Sequence, residues 1–163
     1  LEDSEKTSAA FERIEELVTN FYNKYQRNIT IIMEPGGAIT LPFGYLITKV
    51  ISKRVIADDT IVTVDSSAWN FLPWNIYKIE NLSLSDRFNY SYNYENVKVA
   101  GCTLFEGDYF GVFDGKVKLH NFPSISTGDL LVVYASGGYS YTNSRKFNGM
   151  ELPREYVVKN ERR

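Results

Sequence analysis

The sequence predicts a mostly β protein with an N-terminal α/β piece, its larger part an antiparallel β-barrel or sandwich domain. Three observations predict this class. Apolar residues recur at helical spacing in one stretch only, near the N-terminus. One continuous apolar run, Ile29-Thr30-Ile31-Ile32-Met33, follows it and ends on a glycine-bearing loop. Beyond Gly44 the chain becomes a succession of short β-branched runs separated by Asp/Gly turn signals.

Taken in order, residues 8–25 place Phe11, Ile14, Leu17, Val18, Phe21, Tyr22 and Tyr25 on one face of a helix. Ser4 or Ser8 suits its cap, Glu5, Glu12, Glu15 and Glu16 its early turns, and Lys24 with Arg27 its end. The run from Ile29 to Met33 is apolar at nearly every position, as in a strand buried on both faces. Residues 45–56 and 60–65 follow as strands, with further short strands expected at 97–99, 103–110, 116–119, 130–134 and 155–158. The turns fall at Asp58-Asp59, Phe113-Asp114-Gly115, Thr127-Gly128-Asp129 and Gly137-Gly138. Residues 81–96, rich in Asn, Ser and Tyr, read as a long loop.

At 163 residues, with 44% hydrophobic and 23% charged residues, the chain can bury an ordinary core. A net charge of -2 gives no electrostatic footprint for nucleic acid or an anionic membrane, and Arg154, Arg162 and Arg163 are too sparse to make one. No apolar run reaches membrane-spanning length, and Leu1-Glu2-Asp3 is acidic where a signal peptide is basic. The expectation is a soluble, cytoplasmic protein. A single cysteine, Cys102, excludes an internal disulfide and reads first as a buried, inert thiol. His120, the single histidine, has no metal-ligand spacing around it and reads as structural. The absence of an initiating Met reads as a piece of a longer protein, or a chain whose start was removed.

Glu34-Pro35-Gly36-Gly37 carries the chemistry of the N-terminal piece. The plain reading is a strand exit closed by a Pro-Gly turn. The functional one is a carboxylate beside bare backbone, whose N–H groups can approach and hydrogen-bond an anionic group such as phosphate.

Three stretches in order carry a resemblance. They are Glu34-Pro35-Gly36-Gly37 with Gly44-Tyr45-Leu46-Ile47-Thr48-Lys49-Val50; Gly101-Cys102-Thr103-Leu104-Phe105-Glu106-Gly107-Asp108; and Gly128-Asp129-Leu130-Leu131 through Gly137-Gly138-Tyr139 to Phe147-Asn148-Gly149-Met150-Glu151-Leu152-Pro153. Together they resemble the C-terminal third of the pyridoxal 5'-phosphate (PLP)-dependent decarboxylases of the alanine-racemase-like fold. That group contains the diaminopimelate, ornithine, arginine and carboxynorspermidine decarboxylases. The resemblance implies that residues 1–43 are the last helix and strand of a (β/α)8 PLP-binding barrel, and 44–163 its C-terminal β domain.

It also implies roles. Glu34 would face the pyridine nitrogen of PLP, the N–H groups of Gly36 and Gly37 would bind its phosphate, and the Tyr139 hydroxyl would add a further hydrogen bond; a tyrosine packed in the β core is the plain alternative for Tyr139. Head-to-tail homodimers with shared active sites are usual in the family. The 103–108 loop would complete the partner's site, with Asp108 in an inter-subunit ion pair. The Schiff-base lysine and the stacking histidine belong to the first part of such barrels, outside this chain.

Where the family pattern is Glu-Pro-Gly-Arg, this chain has Gly37, and Leu104 and Phe105 stand where the family's catalytic Cys and its acidic neighbour fall. Leucine has no proton to give. Cys102 and Glu106, two residues either side of Leu104 and on one face of a strand, are the candidate replacements. In the segment read for substrate recognition, Pro73 and Lys78 occupy the places of distal-group ligands. Lys78 is either a ligand for an acidic group on an unusual substrate or a solvated lysine. The expected reaction is loss of the α-carboxylate of a non-standard amino acid as carbon dioxide, followed by protonation, in polyamine, siderophore or other specialised metabolism. The alternatives are a catalytically impaired homologue serving as a regulatory or interaction subunit, and a free-standing β-sandwich binding module.

Overall fold

The computed structural model describes residues 2–71, 78–84 and 94–159. It falls into two compact units, Leu1–Glu34 and Pro35–Arg163. The first holds helix α1 (Glu2–Tyr25), which begins six residues ahead of the expected start. Its stripe includes an i,i+4 aromatic pair, Phe21 and Tyr25, with ring centroids 4.8 Å apart. Gln26 ends the helix at φ 52, its backbone N–H donating to Tyr22 O at 2.8 Å, a left-handed C-terminal stop. The expected strand at Ile29 to Met33 is not one. The segment has no regular secondary structure, because a strand is held by the ladder bonds of its neighbours and no described residue offers them.

The second unit opens with a five-residue helix, α2 (Gly36–Thr40), and a 3-10 turn, Leu41–Phe43. These groups with the β unit rather than with α1, so that the compact units divide at Glu34/Pro35, ahead of the 43/44 boundary implied by the resemblance. The ties are backbone bonds: Ser136 N–H donates to Gly44 O at 2.9 Å and Gly137 N–H to Leu41 O at 3.1 Å.

The remaining elements are β1 (Leu46–Ile56), β2 (Asp59–Val64), α3 (Ala68–Phe71), β3 (Ile79–Asn81), β4 (Glu95–Ala100), β5 (Val112–Phe113), β6 (Lys116–Val117), β7 (His120–Phe122) and β8 (Leu130–Val133). Six of them form one sheet in the order β3-β8-β1-β2-β4-β7, and β5 with β6 make a separate hairpin across Asp114 (φ 50) and Gly115 (φ 70). Every pairing in the large sheet is antiparallel except β2 with β4, which is parallel. That pair departs from the all-antiparallel expectation, and the long connection through α3 and β3 is what a parallel crossover needs.

Alternation decides the inward face. Leu46, Thr48 and Val50 of β1, Val62 and Val64 of β2, and Val97 and Val99 of β4 point inward with Leu131, Val133, Phe110 and Phe122. Each fully buried valine there contributes roughly 1.5 kcal/mol or more. A register shift between Val50 and Ser52 bends β1, and Val50 N–H turns to Asp129 O at 2.8 Å. Gly128, at φ 99, makes the tight return before β8. The sheet comes close to closing as a barrel: Asn81 Nδ2, on edge strand β3, donates to Ser124 O at 3.1 Å just past the opposite edge, β7.

Several expected strands differ. Residues 103–110 form a turn-rich loop, residues 155–158 run without a ladder partner among the described residues, and only Lys116–Val117 of the 116–119 segment pairs. Of the expected 81–96 loop, Leu82–Leu84 is a 3-10 turn and Glu95 opens β4, while 85–93 lie outside the described residues, as does Pro73.

Candidate cofactor site

The glycines singled out in the sequence open α2, where first-turn N–H groups precede any intrahelical acceptor. Tyr139 reaches them from the 136–138 segment, which packs directly against residues 40–44. It sits at φ 59, a left-handed conformation uncommon for a bulky side chain, and is half-exposed. Its hydroxyl lies over the bare face of Gly36: a Cβ added to Gly36 would stand 2.6 Å from Tyr139 Oη. A Cβ on Gly37 would meet the same ring only at 3.9 Å. The structure therefore brings together Gly36, Gly37 and Tyr139. The bare Gly36 beneath a phenol hydroxyl, with Gly37 following it in the chain, fits the phosphate end of PLP, an anion that takes neutral donors. Glu34 closes the first unit, two residues before Gly36 in sequence.

The 101–108 loop is built around Asp108. Its carboxylate is 2% exposed and accepts from Ser67 Oγ (2.9 Å), Trp69 N (3.0 Å), Thr103 N (3.2 Å) and Thr103 Oγ1 (2.5 Å). Gly101 is needed beneath it, since a Cβ there would stand 2.3 Å from both oxygens. The expected inter-subunit ion pair for Asp108 does not fit this place, because its oxygens are filled from within the chain. Nor do Cys102, Leu104 and Glu106 share a strand face, because the buried carboxylate winds the segment into a turn. Leu104 sits at φ 61 and is 100% exposed, Glu106 is exposed, and Cys102 is partly covered. The Cys102 thiol faces Ser66 O at 3.3 Å and Met150 Sδ at 3.8 Å, and burial, followed by the charge of Asp108, pushes its pKa up. That fits the inert-thiol reading better than a reactive one.

A second set of bonds explains the Phe147-Asn148-Gly149 motif. Asn70, which sequence reasoning missed, pairs both ways with Phe147, donating to its O and accepting from its N–H, each at 3.1 Å. Asn148 Nδ2 donates to Thr103 O at 2.8 Å. Arg145 stacks over Trp69 at 3.7 Å and donates from Nε to Trp69 O at 3.0 Å. The motif thus ties the α3 region and the 101–108 loop together.

No family model matches the chain. It is 25% identical over 148 residues to the diaminopimelate decarboxylase of Buchnera aphidicola subsp. Baizongia pistaciae, covering 88% of this chain and 35% of that protein. A crystal structure of diaminopimelate decarboxylase superposes at a TM-score of 0.63 and 23% identity, covering 83% of this chain and 33% of that one. The Paramecium bursaria Chlorella virus arginine decarboxylase bound to agmatine superposes at 0.60 and 21%, over 79% and 34% respectively. The chain is thus similar to a partial, C-terminal-like region of amino-acid decarboxylases and shares their fold. It spans about a third of the length of the relatives it matches.

Within a decarboxylase-family frame, the departures acquire positions. Gly37 leaves only backbone where the family pattern has arginine, and Leu104 presents a hydrocarbon tip where it has cysteine. Lys78, at the head of β3, ion-pairs with Glu80 and lies 5.4 Å from the Tyr134 ring centroid. Tyr134 donates to the same carboxylate at 2.5 Å, which with burial pushes its phenol pKa up to about 12, while the Lys78 and Tyr134 contacts lower that of Glu80. Lys78 is thus a solvent-facing member of a surface cluster. His120 is buried, with Nε2 2.8 Å from Phe110 O, in keeping with a structural role. A cleft of about 1390 Å³ borders the contact between residues 40–44 and 136–138, lined by Ser66, Tyr134 and Arg154 with Gly44 and Gly137, though none of the three cradle residues is on its wall. Among the described residues no His, Cys, Asp and Glu cluster could hold a metal, and no helix is long and apolar enough to cross a membrane.

Proposed function

We propose that this chain supplies the C-terminal part of a PLP-dependent amino-acid decarboxylase acting on a non-standard substrate, with residues 1–43 completing the cofactor barrel and 44–163 forming the β domain. The observation that carries the reading is the Tyr139 hydroxyl held over the bare Gly36. The decarboxylase relatives and the shared fold support it. A homodimer with shared active sites and a cytoplasmic location belong to the same proposal.

Bound PLP supplies a sink for the electron pair left when the Cα–carboxylate bond breaks and carbon dioxide leaves. In this reading Gly36 and Gly37 donate backbone N–H bonds to the phosphate and Tyr139 donates its hydroxyl, which orients the cofactor. By the resemblance alone, the Glu34 carboxylate would keep a proton on the pyridine nitrogen. The proton returned to Cα cannot come from Leu104. Of the nearby groups on the loop, Glu106 is exposed, while the Cys102 thiol keeps its proton but faces Ser66 O. Titrating the full-length protein that contains this chain with PLP and then measuring carbon dioxide release from a panel of amino acids tests the reading. Binding with release supports it; no PLP binding overturns it.

One observation favours a second reading. The loop tip is a fully exposed leucine with no proton to transfer, as in an impaired homologue acting as a regulatory or interaction subunit. PLP binding without release, together with heterodimers and altered turnover when mixed with an active relative, would select that reading.

A further inference from the structure

Three glycines mesh the two segments that carry the phosphate cradle. A Cβ on Gly44 would stand 2.2 Å from Gly137 Cα, one on Gly137 would stand 2.1 Å from Thr40 O, and one on Gly138 would stand 2.2 Å from Thr40 Oγ1. At Gly44 and Gly137 backbone therefore meets backbone, only the Thr40 side chain lies against Gly138, and backbone bonds from Ser136 and Gly137 lock the contact. Thr40 is where this mesh meets the cradle. Its Oγ1 donates to Gly36 O at 2.8 Å, and the same oxygen fills the space over Gly138, the residue before Tyr139.

One hydroxyl thus touches both halves of the cradle: the peptide of Gly36 from below, and the backbone that launches Tyr139 from above. We propose that Thr40 is a positioning residue, whose hydroxyl sets the spacing between Gly36 and the Tyr139 hydroxyl and so the affinity for a phosphate monoester. This rests on the phosphate reading of the cradle given above. Losing the hydroxyl removes a hydrogen bond and opens a gap against Gly138, freeing the 138–139 backbone to shift. Serine keeps the oxygen.

The test compares T40A with T40S, which differ only in that hydroxyl, in the full chain. The probe is pyridoxamine 5'-phosphate, which has no aldehyde to react with surface lysines, with phosphate-free pyridoxamine as control. Calorimetry reads affinity and thermal unfolding reads the fold. The expected result is an affinity loss of about fivefold or more in T40A, the scale of one hydrogen bond, with T40S close to wild type and similar melting temperatures for the two variants. Wild-type affinity in T40A overturns the positioning role while leaving the phosphate reading intact. Equal losses in T40A and T40S, tracking lower melting temperatures, overturn it too by making Thr40 an ordinary packing residue. A wild-type chain that prefers pyridoxamine 5'-phosphate no more than pyridoxamine overturns the phosphate reading and this inference with it.

Discussion

Replacing Asp108 by asparagine should unravel the 101–108 loop from inside. Oδ1 accepts from Trp69 N, while Oδ2 accepts from Thr103 N and from the hydroxyls of Ser67 and Thr103. The hydroxyls can turn, but the two backbone N–H groups cannot. Whichever way the asparagine amide is set, its NH2 faces one of those N–H donors, leaving a buried backbone group unpaired at about 1–3 kcal/mol. Exchanging charge-assisted bonds for neutral ones adds about 1 kcal/mol, for a total of roughly 2–4 kcal/mol. Urea unfolding reads this as a midpoint lowered by about 1–2 M at an unchanged slope near 2 kcal/mol/M. G101A, whose Cβ would press on the same carboxylate, should shift in the same direction. A D108N midpoint within about 0.2 M of wild type would refute the reasoning that Asp108 organises the loop.

Two further predictions concern titration and reactivity. Burial pushes the His120 imidazole below its ordinary value, against the opposing hydrogen bond to Phe110 O and with a smaller contribution from Lys118. Its pKa is depressed on folding, so its contribution to stability is full above the unfolded pKa of about 6.5 and is lost as pH falls through the folded one. An NMR titration of the single histidine should therefore find a midpoint below about 6.5, and a midpoint at or above that value would contradict the burial. Because its pKa is pushed up, Cys102 should alkylate with iodoacetamide at pH 8 at least about tenfold more slowly in the native chain than in urea, and equal rates would show an open, reactive thiol.

How far the sequence could be read depended on what held each segment. The alternation in β1, β2 and β4 was legible because a half-buried strand writes its inward face into every second residue, whereas β8 is a continuous apolar run with Leu131, Val132 and Val133 all buried. The three-residue strands β3 and β7 are too short to show a period. The 103–110 segment resembles a strand by composition, and only the buried carboxylate of Asp108 makes it a loop. Glu106-Gly107-Asp108 was a turn signal that could have warned of it. The run from Ile29 to Met33 has a strand's composition without neighbours to pair with. Gly36 and Gly37 could be picked out because paired glycines after a strand-like run leave backbone bare, Tyr139 was implied by the resemblance, and in the structure Tyr139 lies against Gly36. Asn70 could not, because its partners are main-chain atoms of Phe147, far along the chain, and Thr40 could not, because its packing against Gly138 is equally distant in sequence.

The central claim is that Tyr139 and Gly36 form one phosphate site, and pairing G36A with G37A tests it most directly. A methyl on Gly36 would press on the tip of the Tyr139 side chain at 2.6 Å, whereas one on Gly37 would find Leu41 Cδ1 at 3.4 Å and the Tyr139 ring at 3.9 Å. Because the tip of a side chain can move aside, G36A should displace the hydroxyl without unfolding the chain. In calorimetric titrations with pyridoxamine 5'-phosphate, the prediction is that G36A loses about tenfold or more in affinity at an unchanged melting temperature, while G37A stays within about threefold of wild type. Binding by G36A as tight as wild type would contradict the account.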